Sequence, residues 1–188
     1  MSTVEGLKKS AVETPEKTAC ICGRTRLSFQ QVSERTNRLS SSLSRLGVGR
    51  GDRVAILSLN CHRFFELYYA VPQLGAIVVP INFRLQPQEI KYIVDHSGSR
   101  VVVVDPALTD LIEAVRAGLD GVEHFILMGD EPGEGYIAYE ELVSGTSEFD
   151  APQVNDDELL GLFYTSGTTG EPKGVMFTHK NMLSNIAH

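Results

Sequence analysis

The sequence predicts an α/β chain: a layered, mostly parallel sheet with flanking helices. Three observations lead there. Short apolar runs alternate with amphipathic stretches of roughly 10–15 residues, the pattern of right-handed βαβ units. Several runs, Val101-Val102-Val103-Val104 most clearly, are apolar at every position, as a strand covered on both faces must be. Gly47, Pro87, Gly98, Pro106 and Gly118 punctuate the runs instead of interrupting them.

The elements follow in order. Residues 1–25 are polar, contain Pro15 and are expected to form a loose lead-in, with residues 26–188 as the structured part. Ser28 and Gln31 match a capping box, and Val32, Leu39, Leu43 and Leu46 then recur at helical spacing up to Gly47, a natural helix stop. Val54 to Leu59 reads as a strand, Phe64 to Leu74 as a helix ended or kinked near Pro72, and Ile77 to Ile81 as a strand. Pro87 suits the first position of a helix running to about His96 and ended by Gly98. After Val101–Val104 a helix is expected over Ala107–Ala117, then a strand over Phe125–Met128. Residues 129–155, rich in Gly, Pro and acids, read as a connector between two lobes, with a short helix at Tyr139–Val143. Leu159–Tyr164 and Val175–Phe177 are strands, and a helix starts at Thr178 or His179.

Composition excludes several functions. At 188 residues, with 42% hydrophobic and 22% charged residues, the chain can bury a real core. The longest apolar run, Ile77 to Ile81, is far short of the ~18 residues of a spanning helix. Met1-Ser2-Thr3-Val4-Glu5 has neither the basic nor the apolar part of a secretion signal. A cytoplasmic protein, at most peripheral to a membrane, is expected. The net charge is −7, split as +5 over residues 1–60 and −12 over 61–188, with no Lys or Arg from Ala117 to Pro172. The modest basic excess reads as a solvated helix face, not a nucleic-acid footprint. Cys20, Cys22 and Cys61 read as free thiols, since no second pair follows Cys20-Ile21-Cys22 at zinc-ligand spacing.

The chemistry lies in one stretch. Between the last two strands runs Thr165-Ser166-Gly167-Thr168-Thr169-Gly170-Glu171-Pro172-Lys173-Gly174. Gly167, Gly170 and Gly174 permit positive φ and close backbone approach to a ligand. Thr165, Ser166, Thr168 and Thr169 supply hydroxyls, and Lys173 is the local cation. Successive N–H groups with hydroxyls and one ammonium suit a polyphosphate. A Walker A loop is excluded, because Pro172 precedes Lys173 and a strand follows where that motif opens a helix.

Tyr164 to Val175 resembles the phosphate-binding signature of the acyl-adenylate-forming superfamily over a dozen positions. Leu27-Ser28-Phe29, Arg38-Leu39, Leu46-Gly47 and Gly51 to Ile56 resemble the family's N-terminal opening, and Ala70 to Ala76, Pro80-Ile81-Asn82, Glu89-Ile90 and Asp105 resemble its fatty acyl-CoA ligase branch. The resemblance covers about residues 26–188. It implies that a carboxylate attacks the α-phosphorus of ATP, and that coenzyme A then displaces AMP from the acyl-adenylate. Thr165, Ser166, Gly167, Thr168, Thr169, Gly170 and Lys173 would hold the β- and γ-phosphates, with Thr165 nearest a Mg²⁺ carried on them. A medium- or long-chain fatty acid is the substrate it favours, with aryl, short-chain or amino-acid activation as runners-up and homodimerisation of the full-length form left open.

Nothing here matches the family's later Tyr-Gly-x-Thr-Glu segment, its ribose-binding Asp or the Lys of its C-terminal lid. The chain is therefore expected to be the N-terminal part of an adenylation domain, inactive as a ligase by itself. A polyphosphate-binding or interaction module without catalysis is the alternative. The final strands are expected to leave apolar edges that promote association. His179 is expected to be a helix-start or packing histidine and Thr178 an N-cap.

Overall fold

The computed structural model describes residues 3–131, 133–165 and 171–186. Helix α1 (Thr3–Glu13) precedes a hairpin of β1 (Thr18–Cys22) and β2 (Thr25–Ser28), then α2 (Phe29–Arg45). The sheet-building part follows as β3 (Arg53–Leu57), α3 (His62–Gln73), β4 (Ile77–Ile81), α4 (Pro87–Ser97) and β5 (Ser99–Val104). It continues with α5 (Thr109–Glu113), β6 (His124–Leu127), β7 (Ile137–Ala138), α6 (Tyr139–Ser144), β8 (Leu159–Thr165), β9 (Lys173–Thr178) and α7 (His179–Ile186).

The main sheet has seven strands in the order β7-β6-β5-β3-β4-β8-β9. Every pairing is parallel except β8 with β9. Strands β4-β3-β5-β6-β7 thus repeat the 2-1-3-4-5 order of doubly wound folds, with the direction of travel reversing between β3 and β5. Strand alternation sends Val101 and Val103 to one face and Val102 and Val104 to the other. The first face packs on Leu39 and Leu43 of α2, Leu67 and Val71 of α3, and Tyr139 of α6. The second packs on Ile90, Ile93 and Val94 of α4 and Ile112 of α5. Each fully buried Val, Leu or Ile contributes about 1.5–3 kcal/mol, so this two-sided burial is the main source of stability.

Helix ends follow local chemistry. Gln31 N–H donates to Ser28 Oγ at 3.3 Å and Ser28 N–H to Gln31 Oε1 at 2.9 Å, the expected capping box. At the other end of α2, Gly47 has φ +85°, while Val48 N–H reaches Leu43 O and Gly47 N–H reaches Ser44 O, a Schellman motif. Arg53 anchors the end of α4 on β3: its guanidinium donates to Ser97 O (2.6 Å) and Gly98 O (2.7 Å).

Three expectations need correction. The lead-in is structured: Val4 and Leu7 of α1 are buried, and Gly23, at φ +58°, turns the β1–β2 hairpin. The single helix over Ala107–Ala117 is broken into a 3₁₀ turn at Pro106–Leu108, α5, and a second 3₁₀ turn at Arg116–Gly118. The Arg116 guanidinium there lies over the Phe125 and Tyr136 rings, at 4.3 and 4.5 Å from their centres, which draws the chain off the helical path. Residues 129–155 are not a connector between lobes. Strand β7 extends the same sheet, Tyr139 is fully buried, and Ser42 Oγ donates to Leu142 O at 2.8 Å.

Ion pairs bridge the basic and acidic regions. Arg35 donates to Glu66 (2.6 Å) and Glu140 (3.0 Å), Arg63 to Glu140 (2.7 Å) and Asp130 (2.8 Å), and Arg50 pairs with Glu158. Basic side chains of residues 24–63 therefore reach across to acids of the lysine-free stretch, and α2 is more than a solvated face. Glu66 is fully buried and also accepts from the Tyr139 hydroxyl at 2.7 Å. Burial works against the Arg35 charge, but the hydrogen bonds it donates to Glu66 and Glu140 outweigh this and hold the guanidinium firmly protonated.

Candidate functional site

Strands β8 and β9 pair antiparallel from Leu159↔Thr178 to Thr165↔Lys173. The hydroxyl- and glycine-rich loop is thus the tip of a hairpin. Thr165 and Lys173 face each other across its base, and both are exposed. Among the described residues, Lys173 makes no ion pair. Ser166, Gly167, Thr168, Thr169 and Gly170 lie outside the described residues.

Gly174 differs from expectation. It lies in an extended strand without positive φ. Its lack of a side chain serves packing instead: a Cβ there would stand 3.1 Å from the Tyr164 ring, its cross-strand neighbour. Gly161 permits the other close approach. A Cβ on it would lie 3.0 Å from Val78 Cγ2 and 3.1 Å from Val78 O, where β8 meets β4. The register shifts between Leu159 and Gly161, a bulge that sends Leu160 to the first core face and Leu162 to the second.

The residues beside the loop are tied to α4. Tyr164 Oη lies 2.8 Å from His96 Nδ1, and the two rings meet edge to face at 5.8 Å. One turn back, Tyr92 stacks on His96 at 5.3 Å. Burial, then the neighbouring Glu171 carboxylate, raise the Tyr92 phenol above its ordinary value. Burial and the neighbouring Tyr92 do the same for Tyr164, so both phenols stay neutral. Pattern reading missed Tyr92, His96 and Glu171. The one visible trace was the i, i+4 spacing of Tyr92 and His96, which puts both on one helix face.

After β9, Asn181 N–H donates to Thr178 Oγ1 at 3.2 Å, which makes Thr178 the N-cap of α7. His179 is a buried packing residue at the helix start, and burial lowers its pKa. On the first sheet face an apolar cavity of about 670 Å³ lies between α1, α3 and α7, lined by Leu7, Phe64, Tyr68, Leu160 and Met182. Cys20, Cys22 and Cys61 are free thiols, and Cys61 Sγ caps α3 by accepting from Phe64 N–H at 3.4 Å.

The profile of the AMP-binding enzyme family matches residues 7–188. The chain belongs to the AMP-binding enzyme family. A long-chain-fatty-acid–CoA ligase of Thermus thermophilus is 44% identical over 158 residues, which are 84% of this chain and 29% of that protein. The crystal structure of an anthranilate CoA ligase in complex with anthranoyl-AMP superposes with a TM-score of 0.91 at 32% identity, covering 96% of this chain and 35% of that one. A Mycobacterium tuberculosis fatty acyl CoA synthetase gives 0.83 at 32% identity, covering 95% and 34%. The chain spans about a third of the length of the curated relatives it matches. Within the described residues, no helix is long and apolar enough to cross a membrane.

Proposed function

We propose that this chain supplies the polyphosphate-binding part of an AMP-forming acyl-CoA synthetase. The observation that carries the reading is the hairpin itself. The signature Tyr164–Val175 folds back so that Thr165 and Lys173 stand paired at the base of a loop of hydroxyls and glycines. The hydroxyls and N–H groups of Thr165, Ser166, Gly167, Thr168, Thr169 and Gly170 would hold the β- and γ-phosphates of ATP, with Lys173 neutralising them. Orientation and charge stabilisation would then favour attack of a carboxylate oxygen on the α-phosphorus, with pyrophosphate leaving. Coenzyme A would displace AMP in the second step.

Among the described residues no group of three or more His, Cys, Asp or Glu side chains gathers as a metal site. This fits Mg²⁺ arriving on the nucleotide, since that ion commonly keeps waters and substrate phosphates as ligands. A fatty acid is the acyl substrate supported by the Thermus relative, and an aryl acid is the runner-up supported by the anthranilate ligase. The described residues fit a role in holding the phosphates of a nucleotide.

Titration of the 188-residue protein with MgATP, Mg-tripolyphosphate and AMP tests the reading. Tripolyphosphate and ATP should bind and AMP should not. Lys173→Ala should weaken binding by about 10- to 150-fold, the equivalent of one charge-assisted hydrogen bond. Equal binding of AMP and ATP, or an unchanged Lys173→Ala, would contradict it.

A further inference from the structure

We propose that α4 positions the phosphate-binding hairpin, with His96, backed by Tyr92, acting as a positioning residue that holds the β8 arm just outside the loop. This rests on the polyphosphate reading above.

His96 Nδ1 meets the hydroxyl of Tyr164, on the arm entering the loop. Tyr92 stacks on His96 at 5.3 Å with an interplanar angle of 23°, which backs the imidazole ring. The Tyr164 ring in turn packs over Gly174, joining the arms to each other.

The brace itself is fixed. Ile90, Ile93 and Val94 of α4 are buried in the sheet's second core face. Arg53 of β3 holds the carbonyls of Ser97 and Gly98, directly after His96. A binding loop gains precision when it is supported by rigid elements. Here the support is a helix seated on the parallel block, reaching a hairpin that meets the block at a single registered pair, Val78↔Gly161. With the Tyr164 phenol donating, His96 Nδ1 accepts, and an asparagine at position 96 offers an acceptor at a similar reach.

The test uses the 188-residue protein and Mg-tripolyphosphate. His96→Phe keeps the stack on Tyr92 and removes the hydrogen bond. It should weaken binding about fivefold, the weight of one hydrogen bond, at an unchanged melting temperature. His96→Asn should restore binding to within about twofold. Tyr164→Phe combined with His96→Phe should be no worse than either alone. Hydrogen exchange of the 165–172 segment without ligand supplies an independent readout: His96→Phe should speed it, and His96→Asn should not. A Lys173→Ala variant that binds like the native chain sinks the polyphosphate reading. Weakened Lys173→Ala with native-like His96→Phe overturns the positioning role alone. Unchanged exchange in His96→Phe overturns it as well, whatever the binding result.

Discussion

The five-stranded parallel block β7-β6-β5-β3-β4 and the β8–β9 hairpin share one sheet but are held by different means. In the block, Val101 to Val104 are at most 1% exposed, with helices on both faces. An ionic brace of Arg35, Glu66, Arg63 and Glu140 then locks α2, α3 and α6 together on one face. In the hairpin, Val175 is 46% and Met176 68% exposed. Its links to the rest include Leu160 and Leu162 on the two core faces, the approach of Gly161 to Val78, the Tyr164–His96 hydrogen bond and the Arg50–Glu158 pair. Stability is concentrated in the block, and the chemistry-bearing residues in the lightly held hairpin. Low local stability is where ligand-binding loops are drawn from.

The comparison breaks most sharply at Glu66. Glu66→Ala removes the buried carboxylate shared by Arg35 and the Tyr139 hydroxyl, leaving Arg35 only Glu140 and the hydroxyl only Arg63 O, and should cost about 2–4 kcal/mol in urea unfolding. A loss under about 1 kcal/mol would mean the ionic brace does not hold the block. Gly161→Ala comes next. Crowding of Val78 and Phe163 should cost about 1–3 kcal/mol, with hydrogen exchange rising in β8 and β9 while β3 and β5 stay protected. Uniform loss of protection would show that block and hairpin unfold together.

The pH dependence sharpens the contrast. Burial lowers the pKa of His62 on α3 and of His179 at the start of α7. The unfolded chain therefore takes up these protons first. Stability should be complete above about pH 6.5 and fall as the pH drops below it. Urea midpoints followed by probes in α3 and in α7 would show whether both halves weaken together. A flat profile between pH 7 and 5 would count against buried neutral imidazoles. The smallest effect belongs to the edge. Met176→Lys should leave stability within about 0.5 kcal/mol and reduce self-association through β9, read by sedimentation. Equal association of both proteins would place the contact elsewhere.

The block was the legible half. Val101–Val104 announced a two-sided strand through four β-branched residues, and Pro87 and Gly98 bracketed α4 by their own backbone preferences. The N-terminal helix was not legible, because only Val4 and Leu7 of its sequence face the core, amid Gly6, Lys8 and Lys9. The break at α5 depends on Arg116 finding rings in Phe125 and Tyr136, a tertiary contact that no local pattern encodes. At the site, the signature revealed its own residues but not their support. His96 and Tyr164 are 68 positions apart, joined only because β8 lies beside β4 and α4 covers the same face. Gly174 was misjudged for the same reason: the Tyr164 ring that requires it lies on the neighbouring strand.

Hydrogen exchange across the 188-residue protein, with and without MgATP, tests the central claim most directly. Protection should rise in the segment from Phe163 to Val175, with a smaller rise around His96, and stay unchanged elsewhere. The competing location is the crevice where strand order reverses, in which Ser58 Oγ lies 3.4 Å from Asp105 Oδ2. Protection there, with none at the hairpin, would contradict the assignment of the phosphate site.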